Sequence, residues 1–228
     1  MIDSHSSARC ERLLDAMLLE PHRRVELTDE LHTVALQTRA VLVLDMCGFT
    51  RVTRQLGIVA FLLMIRRMRR ICEPCFAAHG GTLLRAEADN LFYFFDSPAA
   101  AVAGSQAALT EVSKANTDAS AEEHLCCAIG IGYGQVLCLS EENVHGEEVN
   151  VAFKLGEDVA QAGQILLTES ARAALDPAAV STRRGSAVVS GLELTFHEVI
   201  HDFHPSAKQD RSGLQPELIN YSAEADTD

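Results

Sequence analysis

The stretch TLLRAEADNLFYFF, residues 82–95, decides the fold class. Two runs of large apolar residues, 82–86 and 91–95, are separated by the four residues from Glu87 to Asn90. Such a pattern predicts two antiparallel strands joined by a tight hairpin. A hairpin this early in the element order argues against a doubly wound parallel sheet, in which strands alternate with helices.

The segments around the hairpin predict the rest of the architecture. AVLVLDM (40–46) is short and apolar enough for a buried strand, and one apolar stripe runs from Ile58 to Phe76, where Pro74 should kink or end the helix. Ser97 and Pro98 predict the start of an Ala-rich helix. Further strands are predicted at 125–139, 165–168, 182–190 and 192–200, and a helix at 146–163. This order predicts an α+β fold: a ferredoxin-like βαββαβ core sheet with helices packed on it, plus additional C-terminal strands.

The chain divides into three parts. Residues 1–37 form a helical lead in which leucine and methionine recur at helical spacing until Pro21. The lead is either a regulatory or dimerising helix or a helix packed on the domain. Residues 38–204 form the main domain. Residues 205–228 are polar and are expected to be a disordered tail.

Composition excludes several classes of protein. The chain has 228 residues, of which 47% are hydrophobic, so one sizeable core can be buried. Its formal net charge of −13 disfavours nucleic acid as a partner, because phosphate binding needs clustered Lys and Arg. No run is long and apolar enough for a membrane span, and no signal peptide is recognisable. With seven cysteines, an odd number, a cytoplasmic protein with reduced thiols is expected.

Two carboxylates have positions that suit a metal site. Asp45 ends the first predicted strand and Asp89 lies on the hairpin tip. Oxygen ligands of this kind suit Mg²⁺ or Mn²⁺, with phosphate oxygens completing the coordination. Gly48, just before a helix, offers backbone N–H groups to a phosphate. The residues alone leave open the simpler interpretation that both acids are turn or capping residues.

A second pair lies on one predicted helix. Asn150 and Lys154 are four residues apart and share a face. They suit contacts with a ribose and a phosphate, but a solvated face on which Lys154 balances Glu157 or Asp158 explains the spacing equally well.

Four motifs together resemble the catalytic domains of class III adenylyl and guanylyl cyclases. They are LVLDMCGFTRVT (42–53), GGTLLRAEADNLFYFF (80–95), AIGIGYGQVL (128–137) and HGEEVNVAFKLGEDVAQAGQILLTESA (145–171). They occur in the family's order and with similar spacing. The resemblance covers residues 38–203 and implies the class III nucleotide cyclase fold.

The resemblance also implies a role for each matching residue. It assigns two divalent metal ions (Mg²⁺ or Mn²⁺) to Asp45 and Asp89, the phosphates to Cys47, Gly48, Phe49 and Thr50, the base to Arg85 and Asn143, the ribose to Asn150 and the transition state to Lys154. In the family the metal pair comes from one subunit and the other residues from its partner. A homodimer with composite active sites is therefore implied.

The implied activity is formation of a 3′,5′-cyclic nucleotide and pyrophosphate from ATP or GTP, with ATP favoured. The chain departs from the family pattern: Arg85 and Lys154 replace a Lys and an Arg, Asn143 replaces an Asp, and Ala88 replaces a Gly. These changes favour low activity and keep two alternatives open, a catalytically silent nucleotide-binding module and a guanylyl cyclase. The arginine cluster Arg66–Arg70 is expected to be a solvated face or a contact for a regulatory domain or protein partner.

Overall fold

The computed structural model describes residues 4–140, 142–201 and 217–225, and within these ranges the side chains of residues 4, 49–51, 217, 218 and 222–225 are not described. The helices are α1 (Ser4–Leu19), α2 (Arg24–Ala35), α3 (Phe49–Leu56), α4 (Ile58–Ala78), α5 (Pro98–Thr117), α6 (Glu147–Lys154) and α7 (Glu169–Ala173). Short 3-10 turns cover Pro21–Arg23 and Ala121–Glu123, and a π-helical turn covers Leu155–Val159. The strands are β1 (Leu36–Met46), β2 (Thr82–Glu87), β3 (Asn90–Phe95), β4 (Cys127–Cys138), β5 (Val144–His145), β6 (Ile165–Leu167), β7 (Thr182–Val189), β8 (Leu192–Val199) and β9 (Glu217–Ala225).

One mixed sheet runs through the fold in the order β2-β3-β1-β4-β6-β8-β7-β9, and β5 pairs with β4. β2, β3, β1 and β4 pair antiparallel with one another in that order. With α4 and α5 as crossovers they form the predicted ferredoxin-like βαββαβ unit. The remaining strands extend the sheet on the side of β4, beginning with β6, which is parallel to β4. The predicted α+β fold is confirmed.

Both faces of the sheet are covered, and β1 shows how the sequence achieves this. Its alternate residues Leu42 and Leu44 belong to the large cluster with α4 and α5, whereas Val41 and Val43 belong to clusters on the opposite face. A strand buried on both faces needs apolar residues at successive positions, which is why AVLVL is continuous. Because side chains alternate, Asp45 lies on the face of Val43, which is the face that α6 covers.

The helical lead packs on the domain. Cys10 and Leu13 of α1 join Leu31 of α2 in a buried cluster that also contains Val41 and Val136 of the sheet. The structure therefore shows a helix packed on the domain, and the regulatory or dimerising role stays a prediction. None of the helices in the described ranges is long and apolar enough to cross a lipid bilayer.

The helices differ from the prediction at three points. Pro74, which was expected to kink or end the helix, lies inside α4 and does not end it, because Cys72 and Phe76 are buried on either side and hold the helix on the sheet. The apolar stripe also begins later than predicted, since Ile58 and Leu62 are 52% and 56% exposed. The helix predicted at 146–163 ends at Val159 through the π-helical turn.

The C-terminal region differs from the prediction as well. A disordered tail was expected from residue 205, but Glu217–Ala225 form β9 on the outer edge of β7. Tyr221 packs edge-on against Phe196 at 6.0 Å between ring centroids and accepts a hydrogen bond from Gln164. Residues 202–216 and 226–228 lie outside the described part, so the prediction stays open there.

Candidate active site

The hairpin tip places Asp89 at the end of the sheet. Ala88 and Asp89 form a two-residue turn between β2 and β3, close to the predicted tip of four residues. Ala88 has φ of +48°, a conformation that glycine adopts easily and that an L residue with a Cβ rarely adopts. Its carbonyl accepts a hydrogen bond from Arg69 Nη2 at 2.9 Å.

Strand register brings Asp45 to the same end. Leu44 of β1 pairs with Leu91 of β3, so Asp45 is level with Asn90, the neighbour of Asp89 in the chain. The two acids predicted to bind metal thus lie at the same end of adjacent strands. Their joint function as metal ligands stays a prediction.

The electrostatic environment of this corner is acidic. Burial raises the pKa of the Asp89 carboxyl above its ordinary value. Burial also raises the pKa of the Glu157 carboxyl, and the negative charges of Asp158 and Asp89 add to that shift. An acid with a raised pKa is disfavoured as an anion, so a bound cation would relieve both carboxylates.

The donor set fits a hard divalent ion that a nucleotide also binds. Mg²⁺ usually keeps several waters and is held by one or two carboxylates together with substrate phosphates. Asp45 and Asp89 supply two carboxylates. Within the residues that the structure describes, no cluster of three or more His, Cys, Asp and Glu side chains could hold a metal ion by itself. A site completed by phosphate oxygens is therefore the kind that these residues suit.

The loop after β1 is short and leads directly into α3. Gly48 has φ of +98°, which favours glycine, and directly precedes α3. Cys47 continues the pairing of β1 with β4 through its N–H, which donates to Cys126 O at 2.8 Å. The backbones of Phe49 and Thr50 begin α3, whereas their side chains are outside the described part of the chain.

Arg85 and Asn143 line one cavity of about 130 Å³. The hairpin contributes Leu84, Arg85 and Phe92, the segment before α6 contributes Glu142, Asn143, Val144 and His145, and Val41, Val149 and Phe153 complete the wall. The structure thus brings together the two residues predicted to read the base, although they are far apart in the chain.

An aromatic pair supports the Arg85 side of the cavity. Phe92 and Phe153 stack with ring centroids 4.5 Å apart and an interplanar angle of 19°. The Arg85 guanidinium lies 4.8 Å from the centroid of the Phe92 ring, and Arg85 Nε lies 3.3 Å from a Glu87 carboxylate oxygen. That nitrogen is buried and makes no hydrogen bond of good geometry within the described structure, so its contact with Glu87 is an ion pair only. Sequence reasoning missed Phe92 and Phe153, because an apolar pair on a strand and a helix resembles ordinary core.

Asn150 and Lys154 lie one turn apart on α6. Asn150 is exposed and Lys154 is partly exposed. Both are next to residues that line the cavity, Val149 and Phe153. The competing interpretation paired Lys154 with Glu157 or Asp158, yet no salt bridge to Lys154 is found among the described residues.

Glycines in β4 let α6 approach the sheet. A Cβ on Gly130 would lie 2.2 Å from the carbonyl oxygen of Ala152, and one on Gly132 would lie 2.5 Å from that of Glu148. These distances are shorter than any real contact, so larger residues at either position would push the helix away. The repeated Gly-x-Gly of the strand was the sequence signal for this close approach, but its role was not recognised.

The carboxylate pair and the base cavity are separate features of one chain. Val41 lines the cavity and Asp45 follows four residues later on β1. At about 3.3 Å per residue Val41 and Asp45 are roughly 13 Å apart along the strand, whereas Arg85 and Phe92 are level with Val43, roughly 7 Å from Asp45.

Comparison with known proteins identifies the fold. No protein-family model matches the sequence, and no protein of curated function matches it either. Solved structures do match: the guanylyl cyclase Cya2 has 21% identity and a TM-score of 0.60, with 75% of this chain and 95% of that chain covered. An adenylate/guanylate cyclase/hydrolase from Silicibacter pomeroyi has 20% identity and a TM-score of 0.61, with 73% and 98% covered. The adenylyl cyclase CyaB from P. aeruginosa has 18% identity and a TM-score of 0.56, with 74% and 97% covered. The chain therefore has the fold of class III nucleotide cyclase catalytic domains.

Proposed function

We propose that this chain is a nucleotide cyclase that converts a nucleoside triphosphate, ATP in preference to GTP, into a 3′,5′-cyclic nucleotide and pyrophosphate. One observation carries the proposal: Arg85 and Asn143 line the same cavity, beside the helix that bears Asn150 and Lys154. A base, a ribose and a phosphate can be bound in that order by side chains of these types. The fold that the chain shares with adenylyl and guanylyl cyclases supports the same reaction class.

Asp45 and Asp89 would hold two divalent ions, Mg²⁺ or Mn²⁺. When bound, such ions lower the pKa of the ribose 3′-hydroxyl and neutralise the leaving phosphates. The reaction forms a bond between the 3′-oxygen and the α-phosphorus, and the bond to the pyrophosphate breaks.

The chain's own residues bind and orient the nucleotide. The Arg85 guanidinium donates to the base, and the Asn143 carbonyl accepts from an exocyclic amine such as N6 of adenine. Asn150 orients the ribose, and the Lys154 ammonium stabilises negative charge that develops on the phosphates. The N–H groups of the loop from Cys47 to Thr50 offer hydrogen bonds to phosphate oxygens.

We propose that the active form is a homodimer with two composite sites. The proposal rests on the pattern of the family that the sequence resembles, in which the metal pair comes from one subunit and the base, ribose and transition-state residues come from its partner. A two-fold dimer would pair each half with the complementary half of the second chain.

The decisive experiment is an activity assay. Purified protein is incubated with ATP or with GTP in the presence of Mn²⁺, and the product is identified by mass spectrometry. Cyclic AMP as the main product supports the proposal. Cyclic GMP as the main product would make the chain a guanylyl cyclase. Binding of nucleotide without any cyclic product would mean that the chain is a catalytically silent nucleotide-binding module. The ion pair of Arg85 with Glu87 favours this second candidate, because it engages the proposed base-binding arginine within the chain.

The preference for ATP over GTP is expected to change when Arg85 and Asn143 are both replaced. Each lost hydrogen bond to the base costs about 1 kcal/mol, so the Arg85→Ala/Asn143→Ala variant should shift the ATP-to-GTP ratio of kcat/KM by roughly tenfold or more. Its dependence on Mn²⁺ concentration should stay close to that of the wild type, which serves as the internal control. An unaltered ratio would mean that the base is read elsewhere.

The charge at position 154 is expected to set the rate. Lys154→Ala should lower kcat on the order of 10²-fold, because a charge that faces the transition state is lost. Lys154→Arg should keep or raise kcat, since the planar guanidinium can bind two phosphate oxygens at once. The matched control is Lys114→Ala, which removes a surface lysine that pairs with Glu111 on the exposed side of α5. Equal turnover in Lys154→Ala and Lys114→Ala would remove Lys154 from the active site.

A further inference from the structure

The turn that carries Asp89 is held in an unfavourable shape. Ala88 has φ of +48°, although it carries a Cβ. Such a backbone conformation persists when the surrounding structure fixes it. The structure contains two contacts to this turn, and they come from different helices.

The first contact comes from α4. Arg69 Nη2 donates to the carbonyl oxygen of Ala88 at 2.9 Å, and it fixes the residue with the unfavourable φ. Arg66 and Arg70 of the same cluster are exposed, whereas Arg69 is partly buried. Arg67 donates to the backbone carbonyl oxygens of Ala115 and Glu123, so Arg69 is one of two cluster members with a defined contact, and it is the one that contacts the hairpin tip.

The second contact comes from the π-helical turn. Asn90 Nδ2 donates to Glu157 Oε1 at 2.7 Å, between residues 67 positions apart in the chain. The π-helical turn is itself pressed onto the sheet, because a Cβ on Gly156 would lie 2.9 Å from Val43 O and 3.2 Å from Gly130 N. The position of Glu157 is thus determined by backbone contacts and not by a flexible loop.

We propose that Arg69 and Glu157 are positioning residues that hold the hairpin tip from its two sides and thereby fix the Asp89 carboxylate for metal binding. The inference rests on the proposed function only for the role of Asp89 as a ligand. Since the π-helical turn continues α6, the Asn90–Glu157 hydrogen bond also ties the helix of Asn150 and Lys154 to the hairpin. In a homodimer the metal-binding hairpin of one chain would serve one composite site and its α6 would serve the other. The hydrogen bond between them would then link the two sites.

Hydrogen–deuterium exchange of the segment 82–95 tests the contacts directly, without substrate or metal. Glu157→Ala and Arg69→Ala should each increase exchange of the tip amides about tenfold, because each loses a charge-assisted hydrogen bond. Glu157→Gln keeps an oxygen acceptor and Arg69→Lys keeps a donor, so both should restore slow exchange. The controls are the exposed neighbours, Asp158→Asn and Arg70→Ala, which should match the wild type.

Metal binding provides the second measurement. Mn²⁺ is titrated in the presence of 3′-deoxy-ATP, which lacks the attacking hydroxyl, and free Mn²⁺ is measured by electron paramagnetic resonance. We expect Glu157→Ala and Arg69→Ala to bind Mn²⁺ about fivefold more weakly, with recovery in Glu157→Gln and Arg69→Lys.

The outcomes separate the two proposals. Exchange in Glu157→Ala and Arg69→Ala that equals that of their controls would overturn the positioning role, and so would faster exchange spread evenly over the whole chain. Faster exchange confined to the tip, with unchanged Mn²⁺ affinity, would also overturn it. If the wild type and Asp89→Asn bind Mn²⁺ equally weakly, the metal role of Asp89 in the proposed function fails, while exchange still decides whether the two residues hold the turn.

Discussion

Asp45→Asn and Lys154→Ala are each expected to be inactive alone and to regain activity when their chains are mixed. Asp45→Asn removes a metal ligand while it keeps the side-chain shape. Loss of that ion should lower kcat by on the order of 10³-fold or more, which corresponds to about 4 kcal/mol in the activation free energy. Lys154→Ala disables the opposite half of the composite site.

The mixture distinguishes a composite site from a site within one chain. Random pairing makes about half of the dimers mixed, and each mixed dimer has one intact site of two, so about a quarter of the wild-type activity should return. The chains are co-expressed with different tags, and sedimentation confirms that mixed dimers form. A mixture of Asp45→Asn and Asp89→Asn, which damage the same half, is the control and should stay inactive.

Two results would contradict the composite site. Mixed dimers that form and remain inactive would mean that the two groups do not meet across an interface. A wild-type protein that sediments only as a monomer at high concentration, with Mn²⁺ and nucleotide present, would remove the dimer itself.

The parts of the fold that the sequence predicts well depend on local patterns. AVLVL is apolar at every position because both faces of β1 are covered, and the hairpin is visible because polar turn residues interrupt two apolar runs. Ser97 caps α5 by accepting a hydrogen bond from Ala100 N, and Thr168 caps α7 by the same kind of bond from Ala171 N. Capping acts within one helical turn, so it can be read without knowledge of the tertiary structure.

The parts of the fold that were predicted wrongly depend on tertiary contacts. β9 lies in a segment whose average composition is polar, yet Ile219 and Tyr221 alternate with polar residues and pack on the edge of the sheet. Ile58 and Leu62 fit a helical period, but they flank Phe61, the first buried residue of α4, and both are exposed because this first part of the helix is only narrowly covered. Periodicity identifies an apolar face and does not say how far along the helix a partner covers it.

The candidate site also has parts that local sequence predicts and parts that depend on tertiary contacts. Asp45, Gly48 and Asp89 follow from strand ends and turns, which local sequence specifies. The meeting of Arg85 with Asn143 in one cavity depends on how the hairpin and the segment before α6 approach each other. The contact between Asn90 and Glu157 depends further on the π-helical turn, which no periodic pattern in the sequence indicated.

Gly130→Ala is expected to cause a large loss of stability. The new methyl group would lie 2.2 Å from the Ala152 carbonyl oxygen and 2.5 Å from the Gly156 backbone nitrogen. Both atoms belong to backbone, so no side chain can rotate away, and α6 with its π-helical turn must move off β4. Overpacking of a core typically costs 1–3 kcal/mol, and we expect about 3 kcal/mol in the free energy of unfolding here. For a chain of this size that lowers Tm by roughly 6–12 °C.

Gly104→Ala is the matched control, because it adds the same methyl group in a helix where the nearest atoms are 3.4 Å away or farther. Removing a glycine from the interior of α5 should leave Tm unchanged or raise it, since alanine loses less backbone entropy on folding. A Tm for Gly130→Ala within about 2 °C of the wild type would show that α6 does not rest on β4 as closely as the structure has it.

If instead stability falls as expected, turnover measured well below the lowered Tm becomes informative. Asn150 and Lys154 move with α6, so kcat should fall even in the folded variant, while Gly104→Ala keeps the wild-type rate. That combination would link the close contact between Gly130 and α6 to the position of the residues proposed to bind ribose and phosphate.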